Sequence, residues 1–431
     1  MKFISTNGKS PAVTFREALF QGMAPDGGLY VPERLPQLSP STLDNLQHLP
    51  LQALGRQILS SFIDEIPERD LELIIQRAWN FPLPLVQHSD AMYLLELFHG
   101  PTLAFKDVGA RFMAEALSFF LVQENREITI AVATSGDTGS AVAHGFYDTP
   151  NITVYILYPS GKISRLQEQQ MTTLSGNIRA VEVSGTFDDC QRLVKQALAD
   201  NELRRNLTTA NSINLGRLLP QIAYYAWAVA QLRGQGRQDA ATVVVPSGNF
   251  GNLTAAVYAK FLGLPLEQFI AATNVNDVVP QYLETGAFTP RSSIQTLSNA
   301  IDVGNPSNLA RLQFLYENSV DRMRRDMTAV RISDEETLSE IRRTYDQTRY
   351  ILDPHTAVGV AAARKHLERR QSSSPIIVAA TAHPAKFPEI VEQALGVQIP
   401  LPPALQEALG RPKQAVKIAP TFSEFKSLLI R

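Results

Sequence analysis

After residue 92 the chain alternates short apolar runs with longer helical patterns, and this alternation restricts the possible folds more than anything else in the sequence. The runs are residues 93–98, 128–133, 153–158, 179–183, 242–245, 269–273 and 375–380. Strands that alternate with helices build wound α/β layers. Uninterrupted stretches such as Val243-Val244-Val245 and Ile376-Ile377-Val378 predict strands buried on both faces, the mark of a parallel sheet. In open sheets of this kind ligands gather beyond the carboxyl ends of the strands, so chemistry is expected in the loops there. Residues 1–92 lack the rhythm; Pro32, Pro36, Pro40, Pro50 and Pro67 punctuate short helical patterns and predict a mostly helical N-terminal region ahead of a catalytic region, 93–431. Polar stretches at 233–239 and 371–375 read as surface links, and the charged run 317–349 as solvated helix faces.

Composition removes several function classes. A chain of 431 residues exceeds what one core covers and predicts two or three domains. A formal charge of −2 leaves no electrostatic footprint for nucleic acid. A lone cysteine, Cys190, excludes an intrachain disulfide framework and a cysteine-based zinc site, and suits a reducing compartment. The start of the chain shows no secretory h-region, which predicts a mature protein beginning near Met1. The apolar stretch 218–232 is too short to span a bilayer and reads as a core helix. His99, His355 and His383 lack metal-ligand spacing and read as packed or capping residues; Asp353-Pro354 reads as a helix N-cap followed by proline at N1.

Chemistry concentrates in strand-to-helix loops. Gly100-Pro101 ends the strand at 93–98, and Phe112, Met113, Ala116, Leu117 and Phe120 mark the helix that follows, which puts Lys106 near a helix start. A helix N-terminus and burial both disfavour an ammonium, so such a lysine can lose its proton near neutrality and attack a carbonyl. Thr134-Ser135-Gly136-Asp137-Thr138-Gly139 turns into a helix expected to begin near Ser140, and Pro246-Ser247-Gly248-Asn249-Phe250-Gly251-Asn252 into a helical stretch at 253–261. Both are places where bare backbone N–H groups collect an anion.

At these blocks the chain resembles the threonine synthases of the microbial form, pyridoxal-phosphate-dependent enzymes of the tryptophan-synthase-β-like fold (fold type II). HGPTLAFKD around Lys106, ATSGDTG at 133–139, YPSGKIS at 158–164, NSIN at 211–214, PSGNFGN at 246–252 and TAHPAKF at 381–387 occur in that family's order, and residues 14–18 and 25–32 are similar to its N-terminal region. The resemblance covers all but the last thirty or so residues. It implies two wound α/β subdomains with the cofactor between them, the smaller built from roughly 95–215 and the larger from the remainder.

The same resemblance implies the site. Lys106 would carry pyridoxal 5'-phosphate, whose phosphate would lie on Ser247, Gly248, Asn249, Phe250, Gly251 and Asn252, with the hydroxyl of Thr381 at the pyridine nitrogen. Ser135, Gly136, Thr138 and Gly139 would receive the substrate α-carboxylate. Asp137, where the wider fold usually has asparagine, would face the cofactor ring or a donor. Lys162, Ser164, Asn211, Ser212, Asn214 and above all Arg217 would surround a leaving phosphate, with Arg111 a further candidate. The implied activity is a carbon–oxygen lyase that acts on a phosphate: O-phospho-L-homoserine and water become L-threonine and phosphate by γ-elimination and β-addition of water. The expected protein is a cytoplasmic monomer with no nucleic-acid, membrane or metal partner. The same motifs would serve a phospho-lyase that yields 2-oxobutyrate, and the fold could also persist as a non-catalytic scaffold.

Overall fold

Three β-sheets organise the chain, and the computed structural model describes them over residues 1–369 and 374–430. In chain order the strands are β1 (Phe3–Ser5), β2 (Tyr30–Pro32), β3 (Leu85–Gln87), β4 (Met92–Glu96), β5 (Ile128–Ala133), β6 (Ile152–Pro159), β7 (Ile178–Val183), β8 (Leu207–Thr208), β9 (Ala241–Pro246), β10 (Leu266–Thr273), β11 (Met327–Arg331), β12 (Ile376–Ala380) and β13 (Val416–Ile418). The larger layer has the order β11-β10-β9-β12-β4-β3, parallel throughout except for the antiparallel edge pair β3–β4. The smaller is β13-β7-β6-β5-β8, all parallel. The central strands β9 and β12 are buried along their whole length, as their unbroken apolar runs predict.

Residues ahead of β3 are mostly helical, with helices Phe15–Gln21, Pro40–Asp44, Leu51–Ser60 and Glu68–Ala78, to which β1 and β2 add an antiparallel pair. This region is welded to the helix that carries Lys106: Trp79 is fully buried and its indole N–H donates to the carbonyl of Val108 at 3.1 Å. Residues 371–373 of the expected surface loop lie outside the described residues.

The structure corrects several expectations. Strand β4, which ends at Glu96, belongs to the larger sheet, and the smaller sheet takes β5 to β8 from within 95–215 and adds its last strand from the tail. There β13 pairs with β7, and Phe425 of the Phe422–Leu429 helix packs among Cys190, Leu193 and Val194. The charged run 317–349 contains a strand: β11 lies beside β10 between helices Val320–Asp326 and Asp334–Thr348. The apolar stretch after Arg217 is divided by Pro220, which lacks an N–H to donate, into helix Leu215–Leu218, a 3₁₀ turn Leu219–Gln221 and helix Ile222–Gly234. Asp353 caps the Pro354–Arg369 helix as expected, accepting from the amides of His355 (2.9 Å) and Thr356 (3.2 Å).

Candidate active site

Beyond the carboxyl ends of β4, β5, β9 and β12 lies a cleft lined by Lys106, Ser135, Asp137, Arg217, Ser247 and Thr381. Lys106 opens helix Lys106–Glu124 and faces this cleft. The turn before it is held by Asp107, whose carboxylate accepts from the Thr102 hydroxyl (2.6 Å) and amide (2.9 Å). Gly100 is required there, since a Cβ would press on that carboxylate. Burial pushes the Asp107 carboxyl up to about 6 against those hydrogen bonds. Burial likewise lowers the Lys106 amine to about 8; Asp137 opposes the shift, and Lys386 and Arg217 add to it. Its Nζ lies 3.9 Å from Asp137 Oδ2. A free amine is therefore accessible near neutrality.

The first anion cradle follows β5. Thr134 Oγ1 accepts from the amides of Gly136 (2.9 Å) and Gly139 (2.8 Å), so the helix starts at Asp137, ahead of the expected Ser140. Among the described residues, the amides of Ser135, Asp137 and Thr138 have no hydrogen-bond acceptor in the chain, and all three residues line the cleft. Gly136 has φ 139°, and the side chain of Gln167 fills the space a Cβ would need. Gly136 and Gly139 shape the turn without lining the cleft.

The second cradle follows β9 and starts the Gly251–Phe261 helix. The Ser247 amide is anchored to Ala272 O at 2.8 Å and its hydroxyl donates to Val245 O at 2.8 Å. The amides of residues 248–253 have no acceptor among the described residues. Gly248 packs against the Ala300–Ile301 backbone, and Phe250 takes the left-handed φ of 60° that turns these amides inward. Asn252 Oδ1 accepts from the hydroxyls of Tyr224 (2.8 Å) and Tyr225, which orients the amide group and leaves its buried Nδ2 without a partner. An unpartnered buried donor above a fan of bare amides fits an anionic group.

Arg217 also lines the cleft, 4% exposed, with no carboxylate in ion-pair contact among the described residues. Its Nη1 donates to Ala210 O at 2.6 Å and its Nε has no partner. Burial pushes the guanidinium down to about 10, opposed by Asp107. Ser212 and Asn211 reach the cleft as well, although the Asn211 amide is spent on Ala133 N (3.2 Å) and O (2.7 Å). Thr381 stands in the wall beyond β12.

Four other expected phosphate ligands lie outside the cleft lining. Lys162 is exposed outside the cleft lining. Ser164 caps the Arg165–Thr172 helix. The Asn214 amide is used on Leu19 O (2.9 Å), Thr209 O (2.9 Å) and Gly216 N (2.9 Å). Arg111 donates to Ala78 O at 2.7 Å and to Arg77 O at 2.7 Å. Two residues join the site that sequence reading left out. His355 lines the cleft, its Nδ1 on Asp353 (2.9 Å) and its Nε2 accepting from Ala300 N (3.0 Å); read as packed or capping, it braces the wall behind Gly248. Lys386, fully buried, pairs with Asp137 Oδ1 at 2.8 Å. Its TAHPAKF block was visible, but a lysine's burial is not. No cluster of residues suited to a metal ion occurs among the described residues, and no described helix is long and apolar enough to cross a membrane.

A lysine amine flanked by two amide cradles at the ends of parallel strands defines the fold and site of a pyridoxal-phosphate enzyme, and the profile described as "Pyridoxal-phosphate dependent enzyme" matches residues 81–381. Profiles for the threonine synthase N terminus and C-terminal region match residues 2–79 and 356–428. The chain is 46% identical to threonine synthase from Haemophilus influenzae over 97% of each chain, and 44% identical to that from Escherichia coli over 100% of this chain and 99% of the relative. The crystal structure of the Escherichia coli enzyme superposes with a TM-score of 0.94 over 100% of this chain and 99% of its own. That of pyridoxal-phosphate-bound threonine synthase from Brucella melitensis gives 0.92 at 37% identity, over 100% of this chain and 98% of its own. The chain belongs to the threonine synthase family.

Proposed function

We propose that this enzyme converts O-phospho-L-homoserine and water to L-threonine and phosphate, as a carbon–oxygen lyase acting on a phosphate. The observation that carries this reading is the arrangement in one cleft of a lysine whose burial lowers its proton affinity, two cradles of bare amides and a buried arginine without a carboxylate partner among the described residues. The residues present fit pyridoxal phosphate: Lys106 to hold it, the 247–252 loop with Asn252 Nδ2 for its phosphate, Thr381 toward its ring. When bound, it withdraws the electron pair left by proton loss from the substrate carbon beside it.

The chain's own residues then divide the work. Lys106 Nζ, freed when the substrate amine takes its place, removes the Cα proton and carries protons between Cα and Cβ. The amides of Ser135, Asp137 and Thr138, with the Ser135 and Thr138 hydroxyls, hold the α-carboxylate and fix Cα against that amine. Arg217 and Ser212 receive the substrate phosphate at Cγ, and the guanidinium fork stabilises charge as the C–O bond breaks. The proton taken from Cβ is delivered to Cγ, which becomes the methyl group; water adds at Cβ, its released proton balancing the one taken up by the departing phosphate, and Lys106 returns the remaining proton to Cα. A cytoplasmic location and a monomeric state belong to the same reading. Their support is the buried, unpaired Cys190 and the scatter of exposed apolar residues such as Leu73, Val122 and Ile294.

The test is to incubate the cofactor-loaded protein with O-phospho-L-homoserine and quantify products. Equal amounts of threonine and phosphate are expected. Phosphate with 2-oxobutyrate would assign the phospho-lyase reaction instead, and no turnover by protein that takes up no cofactor would favour the scaffold.

A further inference from the structure

The fully buried Lys386 has no place in the reaction described above, yet an ammonium with no solvent contact is costly and calls for a reason. It sits in the 3₁₀ turn Pro384–Lys386 after β12, a turn capped by His383, whose ring nitrogen accepts from Ala385 N at 3.1 Å. Its Nζ donates to Thr102 O at 2.8 Å and pairs with Asp137 Oδ1 at 2.8 Å. Gln167 Nε2 donates to the same oxygen at 3.0 Å. Oδ1 therefore accepts from two donors, while Oδ2 has Lys106 Nζ at 3.9 Å as its ion-pair partner among the described residues. The carboxylate is clamped with one oxygen toward the reactive amine and its charge shared with a second cation.

We propose that Lys386 is a positioning residue for Lys106: by clamping and partly neutralising Asp137, it keeps the nitrogen at position 106 from being held protonated. The inference rests on the reading of Lys106 as the cofactor-carrying lysine. An unshared carboxylate this close favours a protonated nitrogen, whether free or linked to the cofactor, and a second cation behind that carboxylate disfavours it. Burial resists ionisation of Asp137, but Lys386 and Lys106 together hold it well below the usual carboxylate range. Among the described residues, the other charged or titratable groups around these side chains include Arg217 on the Leu215–Leu218 helix, Asp107 next to Lys106, His355 on the Pro354–Arg369 helix, Arg111, the buried His144, and His383, whose ring burial chiefly pushes down and Lys386 pushes down further. Burial pushes His144 down to about 4, so it is uncharged where Lys106 titrates. Arg217 lowers the affinity of Lys106 for a proton as Lys386 does, so both cations act in one direction.

The experiment titrates the visible absorbance band of the cofactor-loaded protein against pH in wild type, Lys386→Met, Lys386→Arg and Asp137→Asn. In a cofactor-free aliquot, reductive methylation with formaldehyde, read at Lys106 by peptide mass, follows the amine itself. Lys386→Met should move both midpoints up by about one to two pH units, Asp137→Asn should move them down, and Lys386→Arg should restore the wild-type value. If Lys386→Met does not fold, Lys386→Gln, uncharged but still polar, takes its place and should move both midpoints up in the same way. A midpoint in the uncharged variant that stays within a few tenths of a unit of wild type or falls overturns the proposal. Lys106→Ala separates the two failures: a visible band that survives in it rejects the assignment of Lys106, whereas a wild-type band with an unmoved Lys386→Met midpoint rejects the role of Lys386 alone.

Discussion

The two anion cradles are built alike and charged differently. Each follows a buried parallel strand, β5 or β9, and presents bare amides at a helix start. In the first, the residue two after serine is Asp137, tied to Lys386 and turned toward Lys106. In the second that position is Asn249, and the further asparagine, Asn252, has its oxygen occupied by two tyrosines and its buried nitrogen left without a partner. Backbone geometry makes both loops anion acceptors, and a single side chain decides which of them also governs a lysine's proton.

The comparison breaks most severely if the neutral cradle is made acidic. Asn252→Asp sets a carboxylate against the position assigned to the cofactor phosphate and should weaken cofactor binding roughly 10²- to 10³-fold, read as a dissociation constant by titration of the visible band. Arg217→Met removes the cation that neither cradle supplies; kcat/KM for the phosphorylated substrate should fall roughly 10²-fold while cofactor affinity holds. Gly136→Ala tests the geometry of the first cradle alone, because φ 139° and the Gln167 side chain both reject a Cβ; a stability loss of roughly 1–3 kcal/mol in denaturant unfolding is expected. The smallest effect concerns Asp107, outside both cradles. Its folded-state pKa of about 6 exceeds the ordinary 3.8, so its contribution is fully present below pH 4 and is lost as pH rises through about 6. Asp107→Asn should flatten that part of the stability-versus-pH curve relative to wild type, as followed by thermal unfolding.

Much of this was legible in the sequence because long apolar runs and glycine-rich turns carry local signals. The strands that frame the cleft and the loops bearing Lys106, Ser135 and Ser247 lie within a few residues of where the pattern put them. What escaped depends on contacts distant in sequence. β13 spans only Val416–Ile418 with its first two residues exposed, too short for any period to register. β11 hides among charges because it is an edge strand with little apolar alternation. Ser164 and Asn214 are the right chemical types for a phosphate, but local capping claims their side chains, and spacing cannot distinguish a cap from a ligand. Burial of Lys386 beneath Asp137 results from β12 and β5 converging from separate sheets, which no local window reports.

Half-buried Lys106 and fully buried Lys386 lie near the same carboxylate, and the proposed chemistry depends on which of them bears the cofactor. Borohydride reduction of the cofactor-loaded protein, followed by digestion and peptide mass mapping, makes that attachment permanent and locates it. The added mass should be found on Lys106, in the peptide that contains Ala104-Phe105-Lys106-Asp107. Modification at Lys386, with Lys106 untouched, would contradict the account.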